Sequence, residues 1–282
     1  MNDEGALIAF TLLSQAVIGS TLVYVLIYFI NMEGISQVSA GFNLKTPEFL
    51  LLIGLLVAII LSFLHLGRPS NATNALNNLK SSWISREIFT VALLSAGLLV
   101  LFMARWLGAG KPFLTAAFVT AAVAGLLLLV TMTRLYMIPA VHTWNNWLTP
   151  LTFTLTALVA GLSLLLVFVL ATNIEFPWVK SVIVAIMVLL LFEIVHSGIL
   201  HGQVNSMDHN FINPFISGGT FKLFTIIRIS LIGLTIVFLL FVSLREQVMN
   251  RHTLLLLSLS LIFIEMIIGR YLFFASYVRT GI

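Results

Sequence analysis

The chain has 282 residues, of which 60% are hydrophobic and only 9% are charged, with a net charge of +4 and no cysteine. Soluble domains average about 25% charged residues, so this composition indicates an integral membrane protein. The lack of cysteine excludes disulfides, thiolate-bound iron–sulfur clusters and cysteine zinc sites from this chain. The 14 basic residues are dispersed, and no basic run predicts a nucleic-acid-binding surface.

A membrane-spanning helix needs about 20 mostly apolar residues. Eight stretches meet that requirement, and they predict an all-α integral membrane protein with one eight-helix bundle over residues 1–282. The acidic start MNDEGALIAF and the long apolar run after it favour a retained first helix over a cleaved leader. The predicted helices are 6–30, 47–66, 87–107, 112–136, 147–171, 178–200, 222–244 and 253–276.

Eight helices put both termini on one side of the membrane. We call that side the even face, because the loops after the second, fourth and sixth helices also lie there. Most histidines and several arginines fall near this face, so chemistry is expected there. The charges of the opposite side, Glu48 and Arg105 among them, are typical of membrane boundaries. Eight of the 14 basic residues fall at the even face and six at the other, which leans weakly towards a cytoplasmic even face but does not decide the orientation.

The stretch SFLHLGRPSNATNALNNLKSSWISREIFT, residues 62–90, is the longest polar interruption in the first half of the chain. It places His65 at the end of the second helix and Glu87 at the start of the third, so a tight hairpin brings both to similar depth. A histidine and a carboxylate at one apolar–polar boundary form a natural pair of proton acceptors. The structural alternative has Ser85 as the N-cap and Glu87 complementing the helix dipole.

Other ionisable residues lie inside the apolar runs. Glu193 and His196 are three residues apart and share one helix face. Glu265, near the middle of the last helix, is either a buried structural anchor or part of a proton route. Arg134 either extends to the interface or faces a partner or a cavity. A charge at the centre of a membrane helix costs about 2.5–3.5 kcal/mol on insertion scales, so such residues need partners.

Haem and metal sites are weakly supported. Only His65 and His196 have depths suited to bis-histidine haem, and the sequence contains no CxxCH motif. His196 and His201 are five residues apart and do not form a metal-binding pair on one helix face. We therefore expect neither haem nor a metal ion in this protein.

Four motifs, in this order along the sequence, resemble the membrane anchor subunits of bacterial dimethyl sulfoxide reductase and its relatives. HLGRP closes the second helix and SREI opens the third; the others are TRLYMIPAVHTWNNWLTP between helices four and five and IEMIIGRYLFF in the last helix. The resemblance runs nearly end to end. It implies a haem-free subunit that oxidises menaquinol from the membrane quinone pool near the periplasmic face.

The resemblance also implies partners and a location. Electrons would pass to a ferredoxin-like subunit with four iron–sulfur clusters and then to a molybdopterin catalytic subunit. Both termini would lie in the periplasm of a bacterial or archaeal cytoplasmic membrane. This makes the even face periplasmic.

The residues that match the family's quinol-site histidine and glutamate are His65 and Glu87. His65 is expected to hydrogen-bond a quinol hydroxyl and take one proton, and Glu87 to accept or relay the second. The quinol-binding or supporting residues are Gly67, Arg68, Arg86, Arg134, Tyr136, Glu193 and His196.

Two alternatives stay open. Within the class, the anchor serves another molybdoenzyme that acts on polysulfide, thiosulfate, tetrathionate or formate, with electron flow in either direction. Outside the class, a proton-coupled transporter would use Glu193, Glu265 and Arg134 as intramembrane charges around a cavity near the bilayer midplane. An iron–sulfur partner would support the anchor, and its catalytic subunit would name the substrate.

Overall fold

The computed structural model describes residues 2–30, 45–65, 76–172, 178–206, 219–244 and 251–277. These residues form eight α-helices and one short 3-10 helix, Leu76–Asn78. The α-helices are α1 Asn2–Ile30, α2 Lys45–His65, α3 Trp83–Trp106, α4 Lys111–Tyr136, α5 Leu148–Thr172, α6 Val179–Asn205, α7 Thr220–Leu244 and α8 Arg251–Ala275.

Seven of the helices are long and apolar enough to cross a membrane. The eighth, α2, contains a shorter apolar stretch, Pro47–Phe63. The prediction of an all-helical membrane protein is therefore confirmed. That all eight helices cross the membrane, with both termini on one side, stays a prediction.

The protein divides into two compact units, and the first is Met1–Leu135. In this unit α1 packs against α2, and α2 packs against α3. Helix α4 approaches α3 closely at Gly97, where an added Cβ would lie 3.3 Å from the Cα of Ala121. The ring of Tyr28 on α1 stacks on Phe118 of α4 with centroids 4.1 Å apart. Each helix of this unit is thus held by side-chain contacts with a neighbour.

The second unit, Tyr136–Ile282, is a ring of four helices. Helix α5 packs against α6, α6 against α7, α7 against α8, and α8 against α5. The segment before α5 is fixed to the end of α8: Thr143 Oγ1 donates to the carbonyl of Ser276 (2.7 Å), and Trp144 Nε1 donates to that of Phe273 (2.8 Å). That a single bundle covers 1–282 stays a prediction.

Three helix boundaries differ from the predicted ones by four or five residues: the start of α1 at Asn2, the start of α3 and the end of α6. Helix α3 begins at Trp83 because Ser82 caps it, its hydroxyl accepting from the backbone N–H of Ser85 at 3.3 Å. The prediction that Ser85 is the cap is therefore wrong, and Glu87 lies beyond the first turn, where the helix dipole is weaker. Helix α6 continues to Asn205, so His201 is a helical residue.

Candidate functional site

The α2–α3 hairpin of the first unit has an ion pair at one end. Arg105 Nε lies 2.7 Å from Oε1 of Glu48, and the Tyr24 hydroxyl donates to the same oxygen. Glu48 is fully buried, so the prediction that Glu48 and Arg105 are ordinary boundary charges is wrong. Hydropathy locates the ends of the helices, but it does not tell in which direction each boundary side chain points.

This ion pair sets the register of the hairpin. It joins the start of α2 to the end of α3, so the two helices run antiparallel. Seventeen residues separate Glu48 from His65, and 18 separate Arg105 from Glu87, which at 1.5 Å per residue is about 26 Å along each helix. The backbones of His65 and Glu87 therefore lie at the same level. The side chain of His65 falls outside the described residues.

Glu87 is a buried carboxylate, 7% exposed. Its Oε1 has no hydrogen-bond partner within the described part of the protein. One turn further along α3, Thr90 hydrogen-bonds to Thr131 of α4 at 2.8 Å, so the helix carrying Glu87 is fixed to its neighbour. A buried acceptor without a donor costs about 1–3 kcal/mol. Glu87 is thus held in place with an oxygen ready to accept a hydrogen bond or a proton.

Arg86 ties the turn before α3 to the helix. Its Nε donates to the carbonyl of Leu79 (2.8 Å) and its Nη2 to that of Lys80 (2.6 Å). The guanidinium also lies 4.1 Å from the centre of the Trp83 ring. Arg86 therefore positions the polypeptide that leads to Glu87. Gly67 and Arg68 lie outside the described residues.

Arg134 and Tyr136 are close in sequence but differ in environment. Arg134 is exposed near the end of α4, consistent with a side chain that extends to the interface. Tyr136 is buried among four aromatic rings with centroids between 5.4 and 5.8 Å from its own; these belong to Trp144, Phe153, Phe273 and Phe274. Tyr136 thus packs where α5, α8 and the segment before α5 meet.

The second unit buries a network of charged side chains. Arg228 of α7 donates from Nη2 to Oε2 of Glu193, from Nε to Oε2 of Glu265 (3.1 Å) and from Nη1 to Oγ of Ser197 (2.9 Å). All four residues are at most 3% exposed. His196, on the same turn of α6 as Ser197, hydrogen-bonds through Nε2 to Thr152 at 2.7 Å. One guanidinium therefore joins α6, α7 and α8.

This network lies deep in the helices. Arg228 is eight residues from the start of α7 and Glu265 is ten residues from the end of α8, which is about 12 and 15 Å along the helix axes. The hydrocarbon core of a bilayer is about 30 Å thick, so the network falls near its middle.

From the sequence alone, neither Arg228 nor Arg270 was paired with Glu193 or Glu265. Both are buried, and the Arg270 guanidinium lies 4.3 Å from the ring centre of Phe153. The signal that could have found them is the cost of Glu193 and Glu265, because an intramembrane carboxylate needs a counter-charge. Both arginines also stand within predicted apolar spans.

The absence of a side chain at Gly269 leaves room for the guanidinium of Arg228. A Cβ at this position would lie 2.6 Å from Cζ and 2.7 Å from Nε of Arg228. We expect Gly269→Ala to lower the free energy of unfolding by about 1–3 kcal/mol, because the guanidinium is held by three hydrogen bonds and must shift. Thermal unfolding in detergent measures the change. Gly233→Ala is the control, since a Cβ there meets no atom within 4 Å. Equal unfolding midpoints for the two variants would contradict the close contact.

The α2–α3 hairpin and the Arg228 network both offer acid–base chemistry, because their buried carboxylates and the imidazole of His196 can accept protons. Among the residues that the structure describes, no group of three or more histidine, aspartate or glutamate side chains could hold a metal ion. Apolar membrane-crossing helices with ionic groups buried between them define a multi-pass helical membrane protein with internal polar sites.

Comparison with known proteins identifies the family. The family described as DMSO reductase anchor subunit (DmsC) matches residues 1–275, and this protein belongs to it. The C subunit of the anaerobic dimethyl sulfoxide reductase of Haemophilus influenzae is 34% identical over 168 residues, 57% of each protein. The YnfH subunit of an anaerobic dimethyl sulfoxide reductase of Escherichia coli K12 is 28% identical over 188 residues, 66% of the present protein and 65% of the relative. The matched segments thus span between half and two thirds of these relatives.

Proposed function

We propose that this protein is the menaquinol-oxidising membrane anchor of a molybdopterin oxidoreductase complex. The family places it among membrane anchor subunits. The single observation that carries the quinol-oxidising role is Glu87, a buried carboxylate at the level of His65 whose Oε1 has no hydrogen-bond partner among the described residues. A quinol that gives up two electrons must also lose two protons, and these two residues are the acceptors.

The electrons leave to a partner, since a polypeptide without cysteine holds no iron–sulfur relay of its own. The partner is a ferredoxin-like subunit with four iron–sulfur clusters, which feeds a molybdopterin catalytic subunit. In this assembly the anchor binds menaquinol as a substrate and contributes neither haem nor metal. All eight helices cross the membrane, and the termini and the quinol site lie on the periplasmic side, where the protons are released.

Within the site, His65 hydrogen-bonds a quinol hydroxyl, and Glu87 takes the second proton. Arg86 supports the site through the hydrogen bonds that hold the turn before α3. Gly67, Arg68 and Arg134 are proposed supporting residues by resemblance to the family. The names of the relatives favour dimethyl sulfoxide as the partner's substrate, and polysulfide, thiosulfate, tetrathionate and formate are the alternatives.

A second candidate, the proton-coupled transporter, is favoured by one observation. Glu193 and Glu265 are held by Arg228 near the middle of their helices, as a transporter with intramembrane charges would require. Arg134, the third charge expected for a transporter, is exposed instead. The anchor function explains the buried carboxylate of Glu87 and agrees with the membership of the anchor-subunit family.

We expect the full-length protein, tagged and extracted in mild detergent from its native membrane, to co-purify with two soluble-type subunits. One should show the electron paramagnetic resonance of reduced iron–sulfur clusters, and the other should contain molybdopterin. A menaquinol analogue should then reduce dimethyl sulfoxide, and the four alternative substrates should be assayed in parallel. An anchor that purifies alone, without an iron–sulfur subunit, would falsify the proposal and favour the transporter.

A further inference from the structure

A ladder of polar side chains runs along α6 from its end into the bundle. Glu193, Ser197, His201 and Asn205 are spaced four residues apart, so each is a neighbour of the next, and the row winds about 40° around the helix at each step. Asn205 is exposed, His201 is half-buried, and Ser197 and Glu193 are buried. The ladder thus connects the end of the helix with the Arg228 network in steps of one helical turn.

Neighbouring members of the ladder are hydrogen-bonded to one another or to the network. Asn205 Nδ2 lies 2.9 Å from Nε2 of His201. Ser197 Oγ donates to the backbone carbonyl of Glu193 (2.7 Å) and accepts from Nη1 of Arg228 (2.9 Å). The interior of the second unit is therefore not uniformly apolar along α6. Among the described residues, no hydrogen bond joins His201 to Ser197, which is one helical turn away.

His196 contributes an unprotonated nitrogen. The Thr152 hydroxyl donates its one hydrogen to the carbonyl of Leu148 at 2.8 Å, so the 2.7 Å contact with His196 is made by Nε2–H of the ring. A neutral imidazole protonated at Nε2 leaves Nδ1 as an acceptor. That atom is buried and has no hydrogen-bond partner within the described residues.

One more acceptor is in the same condition. Oε1 of Glu265 is buried and lacks a hydrogen-bond partner in the part of the protein that the structure describes. Nδ1 of His201 also lacks a partner there, but it carries the ring hydrogen, because Nε2 accepts from the amide of Asn205. Each such acceptor costs about 1–3 kcal/mol. Arg228 uses three of its five N–H donors, one each from Nε, Nη1 and Nη2, on Glu265 Oε2, Ser197 and Glu193. Oε1 of Glu265 and Nδ1 of His196 are therefore open positions at which a proton can bind.

We propose that Glu193, Arg228 and Glu265, together with His196, form a proton-binding site inside the second unit that exchanges with water along the α6 ladder. The proton enters past Asn205 and His201 and is held at Oε1 of Glu265. An O–H bond of a hydronium ion at the end of α6 breaks and the O–H bond of the Glu265 carboxyl forms, so a water molecule is left behind, and Arg228 holds both carboxylates in place throughout. This inference does not depend on the proposed quinol oxidation.

The charges around the site decide its resting state. Helix α6 supplies Glu193, His196 and, towards its end, His201; α7 supplies Arg228; α8 supplies Glu265 and Arg270, which lies over Phe153 of α5. The two glutamates and two arginines cancel in formal charge when the histidines are neutral. The resting network is therefore ionised and balanced, and it takes up a proton as the pH is lowered.

The test is infrared difference spectroscopy of the full-length protein, in the assembly in which it purifies, reconstituted in lipid nanodiscs. As the pH is lowered, we expect the carbonyl-stretch band of a buried protonated carboxyl to appear, and to be lost in Glu265→Gln or Glu193→Gln. Glu265→Asp keeps a carboxyl group and should shift the frequency of the band. It therefore serves as the test if a glutamine variant does not fold. Glu87→Gln should leave this band unchanged, which separates the network from the proposed quinol site.

A second measurement tests the route. His201→Leu should keep the band but slow its shift after transfer to deuterated water severalfold, because the ladder is interrupted. An unchanged exchange rate would overturn the α6 route. No band in the native protein, or a band that persists in both glutamine variants, would overturn the site and leave the network a structural tie between helices.

Discussion

Replacing Glu87 with glutamine is expected to lower menaquinol-driven reduction by about 100-fold or more, the range that general acid–base groups contribute. Glutamine has nearly the same shape, so the packing of α3 and its hydrogen bond to α4 through Thr90 and Thr131 are kept. What is lost is a carboxylate that can take a proton. His65→Ala should have a comparable effect. Menaquinol-dependent turnover, measured alongside reduction by an artificial electron donor that bypasses the anchor, separates this effect from damage to the catalytic subunit.

The control for this experiment is Lys80→Ala. Lys80 is exposed, and only its backbone carbonyl takes part in the turn held by Arg86, so activity and assembly should be unchanged. The amount of iron–sulfur subunit recovered with the anchor shows whether each variant still assembles. Near-normal menaquinol oxidation in both Glu87→Gln and His65→Ala would end the assignment of the quinol site to this hairpin.

Replacing Arg228 with leucine is expected to lower the free energy of unfolding by about 3–5 kcal/mol, the usual cost of removing one member of a buried ion pair. The loss should be large because Arg228 binds both Glu193 and Glu265, and leucine would leave both carboxylates without the hydrogen bonds that hold them. Thermal unfolding of the purified protein in detergent, followed by circular dichroism, measures the change.

Two further variants interpret that result. Lys222→Leu makes the same kind of substitution at an exposed position of the same helix and should leave the unfolding midpoint almost unchanged. The triple variant Glu193→Leu, Arg228→Leu and Glu265→Leu should recover most of the stability, because an apolar replacement of a whole buried ionic group is often neutral or better. If Arg228→Leu unfolds at the same temperature as Lys222→Leu, the network does not stabilise the bundle.

Much of this fold follows from the apolar runs, because a bilayer leaves few choices to a polypeptide with so few charges. The start of α3 was missed by four residues, since the polar residues between Ser82 and the apolar run nevertheless belong to the helix. The end of α6 was missed because HGQVN is polar, although it is helical. Hydropathy locates the membrane-embedded part of a helix and not its full length.

Side-chain pairings in the α2–α3 hairpin and in the Arg228 network are harder to predict from the sequence than the helices themselves. The similar level of His65 and Glu87 could be predicted, because the two residues lie at the facing ends of two consecutive helices. The partners of Glu48, Glu193 and Glu265 could not, since a pairing between helices depends on the rotation of each helix about its axis. Each helix that supplies Arg105 or Arg228 is apolar on nearly all sides, so its pattern gives little indication of the side that faces its neighbours.

The close approach of Gly269 to Arg228 has a consequence for how sequences in this family can diverge. A side chain at 269 and a guanidinium at 228 compete for one volume, so neither position can drift alone. If Gly269 were replaced first, the new side chain would clash with Arg228. If Arg228 were lost first, Glu193 and Glu265 would be left without a counter-charge. We therefore expect positions 193, 228, 265 and 269 to change together or not at all among relatives of this protein.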